Sequence, residues 1–115
     1  RFYEIVDEFY RQLSIISTDA AGIESAIYIQ NAKATIAIAS VAATCKYALY
    51  GSGIPFSAVD NNTWKKKVIG KGNAKKPDIM EFAEKKWGKI FPEQDFADAA
   101  CIALWAKEIE LDDNA

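Results

Sequence analysis

The stretch AGIESAIYIQNAKATIAIASVAA, residues 21–43, decides the fold class. Its first part, AGIESAIYI (21–29), sets the β-branched Ile23, Ile27 and Ile29 in a short apolar run, the pattern of a mostly buried strand. The alanine-rich part continues as AKATIAIASVAATCKYALY (32–50) and predicts a long helix packed on both sides, because small side chains let neighbours approach closely. Gly51-Ser52-Gly53 ends it. IPFSAV (54–59) predicts a second strand, with Pro55 suited to an edge or a strand start. Strand, helix, strand is the unit of an α/β protein.

Working outward, Phe2, Ile5, Phe9, Leu13 and Ile16 recur at helical spacing with Glu4, Asp7, Glu8 and Arg11 between them, which predicts an amphipathic helix over 2–16. Downstream, Asn61-Asn62-Thr63 turn the chain into a basic loop, TWKKKVIGKGNAKKPD (63–78). Pro77 suits the first turn of the next helix, Asp78 and Glu81 its positive end, and Gly88 stops it after Trp87. A last helix, about 94–111, follows Pro92 and is apolar enough in its middle to be buried. With no repeat and no linker, residues 1–115 are expected to form a single domain, ordered helix, strand, helix, strand, basic loop, helix, helix.

The 115 residues are half hydrophobic and 26% charged, ordinary for a globular domain with a modest core. No apolar run approaches the roughly 20 residues of a membrane span. No signal peptide opens the chain, so the expectation is a cytoplasmic protein with no membrane partner. A start at Arg1 suggests a processed or truncated piece. Cys45 and Cys101 are far apart and are expected to be reduced and buried. With no histidine anywhere, Ser-His catalysis and histidine-ligated zinc are excluded. Chemistry must come from carboxylates, lysines, hydroxyls or a bound metal.

Asp95 and Asp98 stand three apart, so both carboxylates leave one helical face. They serve either as a cap and a partner of the helix dipole or as a functional pair. Asp98, among Phe96, Ala97, Ala99 and Ala100, needs a partner, because a buried unpaired charge is costly. Glu24, inside an apolar run, either faces solvent or joins them. Three converging carboxylates repel one another, and a divalent cation such as Mg²⁺ relieves that repulsion. The net charge of −2 excludes a chain that is basic overall but not a local basic patch. Lys65, Lys66, Lys67, Lys71, Lys75 and Lys76 fall within the twelve residues 65–76, which contain no acid. They are either a solvated basic loop or phosphate contacts, with Trp64 placed to lie against a sugar or base.

These blocks resemble RuvC-type Holliday-junction resolvases. AGIESAIYIQNAKATIAIASVAA is similar to the family's strand and dimer helix, with the catalytic glutamate at Glu24. WKKKVIGKGNAKK (64–76) resembles its basic loop, of the form VKxxVxGxGxAxK, and QDFADAACIALWA (94–106) its last helix, of the form DAADALAIA. The resemblance covers about residues 1–106. It implies a partial RNase H-like fold of α/β class, with the three opening strands and their aspartate ligand absent from this chain. It implies Mg²⁺ or Mn²⁺ bound by Glu24, Asp95 and Asp98, and catalytic roles for Lys65 and Lys76, with Lys75 in place of Lys76 if the register slips by one. Tyr28 or Ile27 would pack against bases at the junction. The implied activity is metal-dependent cleavage of four-way DNA junctions, in recombination and repair, by a homodimer joined through helix 32–50. Without the missing aspartate the isolated chain is expected to be weak or inactive. Two alternatives are a branched-DNA-binding relative that does not cut and a structural α/β interaction domain.

Overall fold

β1 (Ala21–Glu24) and β2 (Phe56–Val59) pair in parallel, Ala21 opposite Phe56 and Glu24 opposite Val59. The structure, a computed structural model, describes residues 2–25 and 31–114, with side chains to residue 109. A parallel pair needs a long crossover, and α2 (Ala32–Gly51) supplies it. Asn31 caps α2, its side chain accepting from the Ala34 N–H at 3.1 Å. α1 (Phe2–Ile15) packs on α2. After β2 come α3 (Asn61–Val68), α4 (Lys76–Trp87) and α5 (Gln94–Asn114). α5 lies against β1, α3 and α4.

The core is where those elements meet. Val59, Trp64, Ile79, Ala83, Ala97, Cys101, Ile102 and Trp105 are buried together there. Gly22 explains how a strand can lie so close to α5. A Cβ on it would stand 2.8 Å from the Ile102 carbonyl oxygen and 2.9 Å from Ile102 Cγ2, inside van der Waals contact. Only glycine lets β1 sit that deep, and that depth sets the spacing between the strand's end and the start of α5. Two helix ends match the sequence expectation. Pro77 lies in the first turn of α4, and Gly88 closes it in the left-handed conformation, φ 70°.

Four expectations are corrected. Residues 61–68 form a helix, not the start of a basic loop. Asp60 caps it, its carboxylate accepting from the Thr63 N–H at 3.3 Å and from the Thr63 hydroxyl. Lys65, Lys66 and Lys67 then occupy its last turn, where the helix dipole favours cations. Only residues 69–75 remain as loop. α2 is not packed on both sides: Ala48 and Leu49 are its buried residues, and Ile36 and Ile38 are 65% and 45% exposed. The alanines permit close packing, but α1 lies against that half only across an open apolar groove. The expected strand 21–29 is strand over Ala21–Glu24, and residues 26–30 lie outside the described ones. α5 runs to Asn114 rather than 111. Among the described residues no helix is long and apolar enough to cross a membrane.

Candidate active site

Glu24 ends β1, where the Ser25 N–H carries the pairing one step further by donating to the Val59 carbonyl at 2.7 Å. Glu24 is exposed, yet its carboxylate is held: the Trp64 indole N–H donates to Glu24 Oε2 at 3.2 Å. Trp64 itself is wholly buried. Its expected role against a sugar or base is therefore corrected, because the ring has no free face. Lys65, next along α3, sets its ammonium 5.8 Å from the Trp64 ring centroid, within cation–π range.

Asp98 lies one turn into α5 and is half-buried. One of its oxygens, Oδ1, is buried with no hydrogen-bond partner. Burial raises its pKa above the ordinary aspartate value; a hydrogen bond from Gln94 opposes the rise, the Glu24 charge adds to it, Lys65 opposes it, and Asp95 adds to it. Glu24, Asp95 and Lys65 are thus all near enough for their charges to act on Asp98. The convergence is looser than a closed ligand cage. Among the described residues no group of three carboxylates or thiols is spaced to hold a metal ion.

Beside these acids opens a polar cleft of about 260 Å³. Lys65, Lys75 and Lys76 line it, with Asn61, Asn62 and Gln94. Both candidates for the second lysine, Lys75 and Lys76, face the same space. Gln94 borders the cleft and also bonds Asp98, so the basic and acidic halves are continuous. Lys71 lies apart, paired with Asp78 at 3.5 Å. Lys66 and Lys67 are exposed on α3. Tyr28 and Ile27 lie outside the described residues.

Cys101, one turn beyond Asp98, is buried, and its thiol is pushed up to about 11 by burial and by the Asp98 charge. Cys45 is free and only half-buried. Neither is a nucleophile at neutral pH. An apolar groove of about 670 Å³ between α1, α2 and β1, lined by Phe9, Leu13, Ile23 and Val41 among others, lies away from the charged residues.

Sequence reasoning missed Gln94, although its place four residues before Asp98 is the spacing of a helical side-chain pair. It also missed the Trp64–Glu24 hydrogen bond, which joins residues forty apart and leaves no local signal.

A parallel β-α-β unit with a long helix laid across it, acids at the strand and helix ends and lysines beside them, defines an α/β architecture. Its relatives are structural. No protein-family model matches the chain, and no curated protein sequence matches it. The chain is similar to the solved structure of Thermus thermophilus RuvC, with a TM-score of 0.76, 19% identity, 90% of this chain and 63% of that one. It is also similar to T. thermophilus RuvC in complex with Holliday junction substrate, with a TM-score of 0.80, 19% identity, 90% of this chain and 64% of that one. The chain has a RuvC-like fold, and it spans somewhat under two thirds of the length of those RuvC chains.

Proposed function

We propose that the chain belongs to a metal-dependent nuclease that cuts four-way DNA junctions, built on a partial RNase H-like fold. The observation that carries this reading is Asp98 Oδ1, a buried acceptor without a partner, beside Glu24 and Asp95 and bordered by a lysine-lined cleft. The donor set fits a hard divalent cation, because carboxylate oxygens are the ligands Mg²⁺ and Mn²⁺ take. Asp98 with Glu24 or Asp95 would hold it, water and the DNA phosphate filling the other positions, since Mg²⁺ is usually bound through one or two carboxylates and keeps several waters. Bound there, the cation would supply positive charge to stabilise the attacking and leaving oxygens of a phosphodiester.

The chain's own residues do the rest. Lys65, Lys75 and Lys76 draw a DNA phosphate into the cleft by charge, a contact that positions the strand without reading sequence. Lys65 also offsets the negative charge gathered around Asp98. Gln94, one turn before Asp98 on α5, favours its charged form. Lys66 and Lys67 widen the positive surface near the cleft, while Lys71, paired with Asp78, would meet the DNA only farther out. Tyr28 is the candidate to pack against a base.

Cutting a two-fold junction symmetrically needs two sites in a closed dimer. The exposed Ile36, Ile38, Tyr47 and Tyr50 of α2 support that helix as the dimer face. The biological setting that follows is DNA recombination and repair in the cytoplasm, or in a host's cytoplasm if the source is a phage.

A second reading, a branched-DNA-binding relative that does not cut, is favoured by the absence of a closed three-acid group among the described residues. Asp98→Asn separates the two. Cleavage should be lost while gel-shift affinity for the junction is kept. Equal loss of binding and cleavage, or cleavage that survives the substitution, would remove Asp98 from the chemistry.

A further inference from the structure

The proposed cation site depends on an acid that is poorly restrained by its own backbone. Glu24 is exposed at the end of a short strand, and a glutamate has three side-chain torsions to fix. The group that restrains it is rigid. Trp64 is wholly buried in the core with Val59, Ile79, Ala97 and Cys101, so its ring cannot rotate and its N–H points in one direction. That N–H donates to Glu24 Oε2 at 3.2 Å. A hydrogen bond to an ionised acceptor is about twice as strong as one between neutral groups, and a buried indole N–H needs an acceptor in any case.

We infer that Trp64 is a positioning residue, its indole N–H fixing the Glu24 carboxylate toward Asp98 and, through its ring, supporting the neighbouring Lys65. Trp64 does not touch DNA or the cation. It acts through Glu24, whose charge reaches Asp98. Partners of this kind, one step removed from a metal ligand, are worth about 10- to 100-fold in metal affinity or rate.

The inference rests on the reading of Glu24 as a cation ligand, and the experiment separates the two. In the full chain, Trp64 is replaced by 3-benzothienylalanine, which keeps the ring shape and puts sulfur in place of the N–H; Trp64→Phe serves as a second variant. Mn²⁺ binding is read from the loss of the free-ion EPR signal, alongside Glu24→Gln and thermal melts. The expected result is Mn²⁺ affinity about tenfold weaker in the sulfur isostere, with its melting temperature and its junction affinity in EDTA close to wild type. At saturating junction the isostere should also show a lower kcat with KM little changed. Unchanged Mn²⁺ affinity in the isostere, with affinity lost in Glu24→Gln, would reduce Trp64 to packing and leave the cation site standing. Mn²⁺ bound equally by wild type and Glu24→Gln, or by neither, would overturn the cation-ligand reading and the inference with it.

Discussion

Adding one methyl group at Gly22 should damage both the fold and the site. In Gly22→Ala the new Cβ would stand 2.8 Å from the Ile102 carbonyl oxygen, a backbone atom fixed in α5, and 2.9 Å from Ile102 Cγ2. The side-chain methyl can rotate aside, but the carbonyl cannot. Restoring an ordinary 3.4 Å contact therefore moves β1 and α5 apart by about 0.6 Å. Overpacking of this kind costs about 1–3 kcal/mol. For a chain of this size, that is a fall in melting temperature of roughly 5–15 °C. Glu24 lies two residues from Gly22 and Asp98 one turn before Ile102, so the same displacement separates two proposed ligands. A misplacement near 1 Å can lower a rate about a hundredfold, so a loss of at least about tenfold is expected in single-turnover nicking. Calorimetry and the nicking assay read the two effects, with Gly51→Ala as a control, since a Cβ there meets nothing within 4 Å. A Gly22→Ala protein that melts within about 1 °C of wild type and binds Mn²⁺ normally would refute the claim that glycine sets this spacing.

Other consequences are narrower. Burial raises the Asp98 pKa, so without divalent cations the folded state holds its proton to higher pH than the unfolded chain. Stability from this group is full below the unfolded aspartate pKa and is lost as pH rises through the higher folded value, so in EDTA urea midpoints should fall over that range in wild type and stay flatter in Asp98→Asn. Mg²⁺ should raise the wild-type midpoint at pH 7 and leave that of Asp98→Asn unchanged, since only a ligand that binds the folded state stabilises it. Lys65→Ala should weaken junction binding and reduce the log–log salt slope by about 0.9; an unchanged slope would take Lys65 off the phosphates. With its thiol pushed up to about 11, Cys101 should resist a thiol reagent at pH 8 until guanidinium unfolds the protein, and fast labelling of two thiols in the native state would contradict its burial.

What could be read from the residues followed from how local each signal was. Pro77 and Gly88 bracket α4 because their constraints act within one turn. Asp98 was legible because an acid among alanines has no local way to pay its desolvation. Trp64 was misread because three lysines follow it, yet α3 turns its ring inward and the lysines to the last turn. The helix itself was signalled by Asp60 as a cap, a cue outweighed by the glycines and asparagines around it. The half-exposed state of α2 was not legible at all, since alanine suits packing but does not state what packs. Where Glu24 sits relative to α3 depends on contacts across the chain, such as the hydrogen bond from Trp64, and no local signal carries it.

The measurement that tests the central claim most directly is single-turnover nicking of a synthetic four-way junction with the chain in excess, so that even a slow rate registers. The account predicts cuts near the branch point that require Mg²⁺ or Mn²⁺, are absent on linear duplex of the same sequence, and vanish in Asp98→Asn while the gel shift persists. Junction bound at saturation but left uncut at every Mg²⁺ and Mn²⁺ concentration, both by this chain and by one extended upstream to supply the missing aspartate, would contradict it.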